Sequence, residues 1–234
     1  MTTAALVGST GLTGSHILQE LLASPSISTV YAYARRAIPN PTASAKLHPL
    51  TTPDTSTWPS LFQSTTPPPS LFFSALGQNR SAPGGPTARR AIDIDLNLSL
   101  ARAARAAGVG TYVLISTAGA DSSSRFAYTR TKGELEDAVR GLGFAHTVIL
   151  RPMLLVGERE AGEGVLEWGL KRLAGGLGKV SRGLVDRWAA DIGVVVRAAV
   201  GAGWECVEGR REEGVWVLEQ GDIVRLGSQT QGKK

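Results

Sequence analysis

Cysteine is almost absent from this chain: Cys206 stands alone among 234 residues. One thiol excludes an internal disulfide and any cysteine-built metal cluster, fits a reducing compartment, and reads as a buried spectator. Histidine is nearly as scarce. His16, His48 and His146 lie far apart with no ligand or triad spacing around them, so no metal is expected. No apolar run approaches the roughly 18 residues of a membrane span, and no charged-then-apolar signal segment follows Met1, which argues for a soluble or peripheral chain. Lysine and arginine outnumber the acids by 25 to 20, for a net charge of +5. Apart from Arg35-Arg36, Arg89-Arg90 and Lys233-Lys234, however, the cations are interspersed with acids and lack the aromatic interleaving of a nucleic-acid surface. Nucleic acid is therefore not expected as a partner, and a weak pull toward anionic membranes or acidic protein partners is all that the charge implies.

Several look-alike motifs also fail. Asp93, Asp95 and Asn97 imitate the start of a calcium loop, yet Leu98 stands at the required glycine and Ala104 at the closing glutamate, so a helix face explains them better. Gly178-Lys179 lacks the upstream glycine of a phosphate-binding P-loop. Asn79-Arg80-Ser81 and Asn97-Leu98-Ser99 are sequons without a secretory signal.

What the chain does have is concentrated at its start. Residues 4–14 read AALVGSTGLTG, an apolar run turning into glycines at 8, 11 and 14, followed by SHILQELL with apolar positions at helical spacing. This predicts a buried strand, a glycine turn and an amphipathic helix, the way a Rossmann domain receives the pyrophosphate of a dinucleotide. Gly8 allows the tight turn, Gly11 lets the backbone approach phosphate oxygens, and Gly14 lets the helix pack closely while its N–H groups face the anion. Ser9, Thr10, Leu12 and Thr13 complete the expected cofactor loop.

Strand and helix patterns alternate from there on. Strands are expected at 29–34, 46–50, 71–76, 111–116, 147–150 and 215–218, and helices at 58–62, 92–107, 128–140, 165–173 and 188–200. The Pro, Ser and Thr-rich stretch 39–69 reads as a loop-heavy crossover. With 42% hydrophobic residues and this length, the expectation is one α/β domain with a doubly wound parallel sheet of Rossmann type, the region 152–234 contributing the substrate side.

Two constellations carry chemistry. Tyr128 and Lys132 are four apart on a predicted helix, so their side chains project from one face a turn apart. A phenol near pKa 10 is a poor proton donor or acceptor at neutral pH, and a neighbouring ammonium brings it closer to a useful value by stabilising the phenolate. Lys132 also suits a ribose hydroxyl. The preceding strand ends in Ser116-Thr117, whose hydroxyls suit a carbonyl oxygen facing Tyr128. Separately, Arg35 and Arg36 follow the second strand where an NAD-selective site would place an acid against the ribose 2′-hydroxyl. Guanidinium groups there favour a 2′-phosphate, hence NADPH over NADH. Ala75, Leu76 and Gly77 at the end of the fourth strand, and Pro152, Met153 and Leu154 after the sixth, join the expected cofactor-binding set.

Taken together, GSTGLTG, the dibasic pair, ISTAGAD at 115–121, YTRTKGELE at 128–136 and RPMLLVGERE at 151–160 resemble the atypical short-chain dehydrogenase/reductases. Within that group the chain is similar to the fungal mitochondrial outer-membrane protein family, related to the animal Tat-interacting oxidoreductase-like proteins. The resemblance covers most of residues 4–160. It implies a Rossmann fold holding NADPH on Gly8, Gly11 and Gly14, with Tyr128 and Lys132 in the catalytic positions. It also implies an intracellular location, cytoplasmic or peripheral at the mitochondrial outer membrane. The family usually shows paired serines where this chain has Ser116-Thr117, and alignment favours Thr117, with Ser116 as alternate. The leading expectation is an NADP-dependent oxidoreductase acting on the carbonyl or hydroxyl of a small molecule. Two readings stay open beside it: an NADPH-binding regulator or scaffold without turnover, and a non-redox isomerase or cyclase on the same fold.

Overall fold

The computed structural model describes residues 2–77, 85–156 and 189–229. Six parallel strands arise where the sequence pattern expects them: β1 (Thr2–Val7), β2 (Ile27–Ala34), β3 (Leu47–Thr51), β4 (Leu71–Ser74), β5 (Thr111–Ile115) and β6 (His146–Arg151). Between them run α1 (Leu12–Ala23), a 3₁₀ turn (Thr55–Thr57) leading into α2 (Trp58–Gln63), α3 (Gly85–Arg90), a π-helical turn (Ala91–Leu96), α4 (Asn97–Ala106) and α5 (Ala127–Arg140). After β6 come β7 (Leu154–Val156), β8 (Ala189–Asp191), α6 (Ile192–Val207), β9 (Gly214–Glu219) and α7 (Gln220–Gln229). The main sheet has the order β3-β2-β1-β4-β5-β6-β9, every pair parallel, and β7 pairs with β8 in a small second sheet. The chain starts in the middle and winds outward in both directions, so the sheet is doubly wound with its switch point between β1 and β4.

A period-two sequence pattern becomes two apolar layers. On β1, Ala4 and Leu6 pack with Ile17 and Leu21 of α1 and Val195 and Ala199 of α6, while Ala5 and Val7 face the opposite layer of Phe62, Leu100 and Leu135. Both faces of the central strands are thereby covered, which is why these strands read as continuous apolar runs. An aromatic series, Tyr33, Phe62, Phe72, Tyr112 and Phe144, fills the second layer with ring centroids 4.9–5.5 Å apart at successive contacts. Cys206 sits in the first layer, where burial pushes its thiol up to about 11, above the range in which a thiolate forms at neutral pH.

The differences from the sequence reading have local causes. The helix expected at 92–107 begins earlier, at Gly85, and is interrupted by the π turn. The helix expected at 188–200 is instead β8 followed by α6: Asp191 accepts hydrogen bonds from the backbone N–H groups of Gly193 (2.7 Å) and Val194 (3.3 Å), a capping signal that places the helix start at Ile192. The helix expected at 165–173 lies outside the described residues. The tail contributes to the core as well as beyond it, since β9 is the seventh strand of the main sheet and α6 packs beside α1.

Candidate functional site

The glycine turn lies between β1 and α1, at the carboxyl end of the central strand. Gly8 has φ +81°, a conformation that L side chains avoid, and a Cβ there would come within 2.5 Å of the Ala75 carbonyl oxygen. A Cβ on Gly14 would lie 2.0 Å from the Gly8 carbonyl oxygen, so α1 sits directly against the turn. Gly11 caps α1 without offering a side-chain acceptor, and no acid stands in the first turn. The helix therefore begins with N–H groups that no side chain caps, at the positive end of its dipole, an arrangement that suits a pyrophosphate. Ser9 is buried and donates its hydroxyl to the Tyr33 carbonyl (3.0 Å), fastening the loop to the end of β2. Thr10 is exposed, and Leu12 and Thr13 are partly exposed.

Arg35 and Arg36 follow β2 directly; both are exposed, and neither forms an ion pair among the described residues. Ala75 donates its N–H to the Val7 carbonyl (3.1 Å), holding the ends of β1 and β4 together, and Gly77 is exposed at the same end. Pro152 accepts a hydrogen bond from the Ala118 N–H (2.9 Å), while the Met153 N–H is given to the side chain of Gln220 (3.1 Å). Leu154 opens β7.

Tyr128 lies in the first turn of α5 and is partly exposed; Lys132, one turn on, is only 5% exposed. The Lys132 Nζ donates to the Ile115 carbonyl at the end of β5 (3.3 Å) and lies beside Gly77, whose Cβ, were there one, would be 3.6 Å away. The structure thus brings the lysine to the ends of β4 and β5, at the same carboxyl edge of the sheet as the glycine turn. Burial lowers its pKa from the usual lysine value, opposed by the negative charges of Asp93 and Glu136. The helix can approach so closely because of Gly133: a Cβ there would lie 2.2 Å from the Asp121 carbonyl carbon and the Ser122 nitrogen.

The two candidate hydroxyls are treated differently. Ser116 is buried and donates to Glu136 Oε1 at 2.5 Å. Thr117 is partly exposed one residue further along.

Sequence reasoning assigned no role to the charged residues beneath this arrangement. Glu136, 1% exposed, accepts from Arg151 Nη2 (2.6 Å) and Nε (3.1 and 3.2 Å) as well as from Arg140 (3.3 Å). That carboxylate raises the Arg151 pKa above the ordinary arginine range, and Arg151 continues to Glu219 at 3.0 Å. Asp93, 2% exposed, stands on the π turn, and Asn97 at the start of α4 donates to its backbone carbonyl and accepts, through its side-chain oxygen, from Ser74. One signal for Glu136 was present: it continues the Tyr128–Lys132 spacing by one more helical turn.

Fold and glycine turn define a dinucleotide-binding protein of the Rossmann class, and comparison with known proteins narrows it. A family model described as NAD(P)H-binding matches residues 8–193. Protein fmp52-1, mitochondrial, from Aspergillus terreus is 46% identical over 234 residues, covering 98% of this chain and all of that protein. Protein fmp-52, mitochondrial, from Neurospora crassa is 48% identical over 97% of this chain and 95% of that one. Among solved structures, WbmH of Bordetella bronchiseptica in complex with NAD+ has a TM-score of 0.65 at 19% identity, covering 93% of this chain and 75% of that one. UDP-glucuronic acid 4-epimerase from Bacillus cereus in complex with NAD has 0.66 at 15%, covering 99% and 84%. At that identity these structures speak for the fold. The chain belongs to the NAD(P)H-binding family and, within it, to the group of the fungal Fmp52 proteins. Among the described residues no helix is long and apolar enough to cross a membrane.

Proposed function

We propose that this chain is an NADPH-dependent oxidoreductase that reduces the carbonyl of a small organic molecule, or oxidises the corresponding alcohol. The observation that carries the reading is the buried Lys132, held one turn from Tyr128 at the edge of the sheet where the glycine turn also lies. When bound, the reduced nicotinamide supplies hydride to the carbonyl carbon. Tyr128 gives its phenolic proton to the oxygen as negative charge develops there, and the Lys132 ammonium stabilises the phenolate left behind. Lys132 also suits the ribose hydroxyls. The Thr117 hydroxyl donates to the same substrate oxygen, since the proton of Ser116 is already given to Glu136. Arg35 and Arg36, exposed beside the turn, take the 2′-phosphate. The mitochondrial names of the relatives support a setting at that organelle, and we read the chain as peripheral at its outer membrane.

Isothermal titration with NADPH and NADH tests the cofactor half. Removing either arginine (Arg35→Ala, Arg36→Ala) is expected to weaken NADPH about tenfold or more, the size of one lost charge-assisted contact, and to leave NADH almost unchanged. Equal losses for both nucleotides would end the 2′-phosphate assignment, and no binding of either by the folded chain would end the redox reading.

A screen of carbonyl substrates followed by NADPH absorbance tests the other half and separates the hydroxyls. Thr117→Val, which keeps the shape and removes the donor, is expected to lower kcat/KM about 100-fold, within the range reported for one oxyanion donor. Ser116→Ala should lower thermal stability more than Thr117→Val does, because it leaves Glu136 short of a buried donor, and should cost less in rate. The reverse order of rates would transfer the role to Ser116.

A further inference from the structure

Four elements meet at Glu136. It lies on α5, accepts the Ser116 hydroxyl beyond the end of β5 and the Arg151 guanidinium at the end of β6, and through Arg151 reaches Glu219 at the end of β9. The Ser116 N–H in turn donates to the Leu150 carbonyl (2.8 Å), so the carboxylate closes a ring of bonds around the last residues of β5. Ile115, whose carbonyl receives the Lys132 ammonium, is the residue just before Ser116. A carboxylate this deeply buried is costly to desolvate, and two arginines compensate it although the fold would be served by apolar packing at the same place. A second buried charge, Lys132, stands one turn away on the same helix.

We propose that Glu136 is a positioning residue for Lys132: by tying Ser116, Arg151 and α5 together it fixes the Ile115 carbonyl that receives the ammonium. Among the described residues, the Lys132 ammonium donates to the Ile115 carbonyl of β5 and lies beside Gly77 after β4, and it feels the negative charges of Asp93 on the π turn and of Glu136 one turn along α5. Arg151 and the exposed Arg140 pair with Glu136 and set how much of its charge Lys132 feels. Burial acts against the charged lysine, and the carboxylates restore it. The inference rests on reading Lys132 as a residue of the site, and its test needs neither cofactor nor turnover, so failure of the oxidoreductase reading is seen separately.

The experiment is an NMR titration of the full chain with ¹³C-labelled lysine. The chain has six lysines, and Lys132→Met identifies the resonance in question. Glu136→Gln, similar in shape, is expected to move the Lys132 midpoint down by about one pH unit, the size expected for loss of a nearby opposite charge. Glu136→Asp, which keeps the charge on a shorter arm, is expected to recover most of that shift. A purely structural role predicts the opposite ranking, with the shape-conserving Gln nearer to wild type than Asp. A folded Glu136→Gln chain with an unmoved Lys132 midpoint overturns the proposal. Should that variant fail to fold, Arg140→Gln decides: removing a compensating cation from the surface is expected to raise the midpoint by a few tenths of a unit, and no rise overturns the proposal.

Discussion

Replacing Tyr128 with phenylalanine is expected to lower kcat about 1000-fold while NADPH affinity stays within about threefold of wild type, measured by single-turnover absorbance and by titration of the same sample. Only the phenolic oxygen is removed. The ring remains in the first turn of α5, which Phe126 caps with no side-chain bond, so the variant changes no helix-capping hydrogen bond. What disappears is a proton donor one turn from the buried Lys132 ammonium. A general acid contributes about 10²–10⁴ in rate, and the expected loss stands at the middle of that range. Ser116 cannot substitute, because its proton is held by Glu136 at 2.5 Å. Unchanged turnover would remove Tyr128 from the mechanism; equal loss of rate and of affinity would mark it as a binding residue.

The second large effect comes from one methyl group. Gly14→Ala is expected to destabilise the chain by about 3–4 kcal/mol, roughly 10 °C in Tm for a chain of this length, and to abolish measurable NADPH binding. The added Cβ would stand 2.0 Å from the Gly8 carbonyl oxygen and 2.6 Å from its carbon. Both are backbone atoms, so no side chain can rotate away, and α1 must retreat from the turn. Gly8 cannot move to make room: its φ of +81° and its approach to Ala75 lock it against the end of β4. Retreat of α1 carries away the N–H groups of the arrangement that suits a pyrophosphate. Gly11→Ala is the control, since its Cβ meets only the Gly8 carbonyl oxygen at 3.2 Å and needs a shift of a few tenths of an ångström. Thermal melts and titrations of the two variants side by side check the comparison, and a Gly14→Ala chain as stable as Gly11→Ala would refute it.

How much of this was legible in the chain differs from element to element. The glycine turn was readable because three glycines between an apolar strand and an amphipathic helix have few other physical uses, and its parts lie within eleven residues of one another. The tail was less readable. The pattern around Trp188 looked helical, but Asp191, the residue that stops β8 and caps α6, sat unnoticed within it. The strand β9 was seen as an apolar run, yet nothing local says that it pairs with β6.

The site divides along the same line. Spacing within one helix put Tyr128 and Lys132 on a common face, because helical geometry relates residues four apart whatever the rest of the fold does. By itself the sequence determined the alternating strand and helix order, the glycine turn, that shared face and the dibasic end of β2, all properties of short stretches governed by backbone sterics and hydrophobic period. Tertiary structure alone decided that the Ser116 hydroxyl donates to Glu136, that Arg151 arrives from another strand to hold that carboxylate, and that a buried Asp93 lends its charge to a buried lysine. Burial and charge pairing depend on which distant segments come together, and 39 residues separate Asp93 from the lysine whose charge it supports.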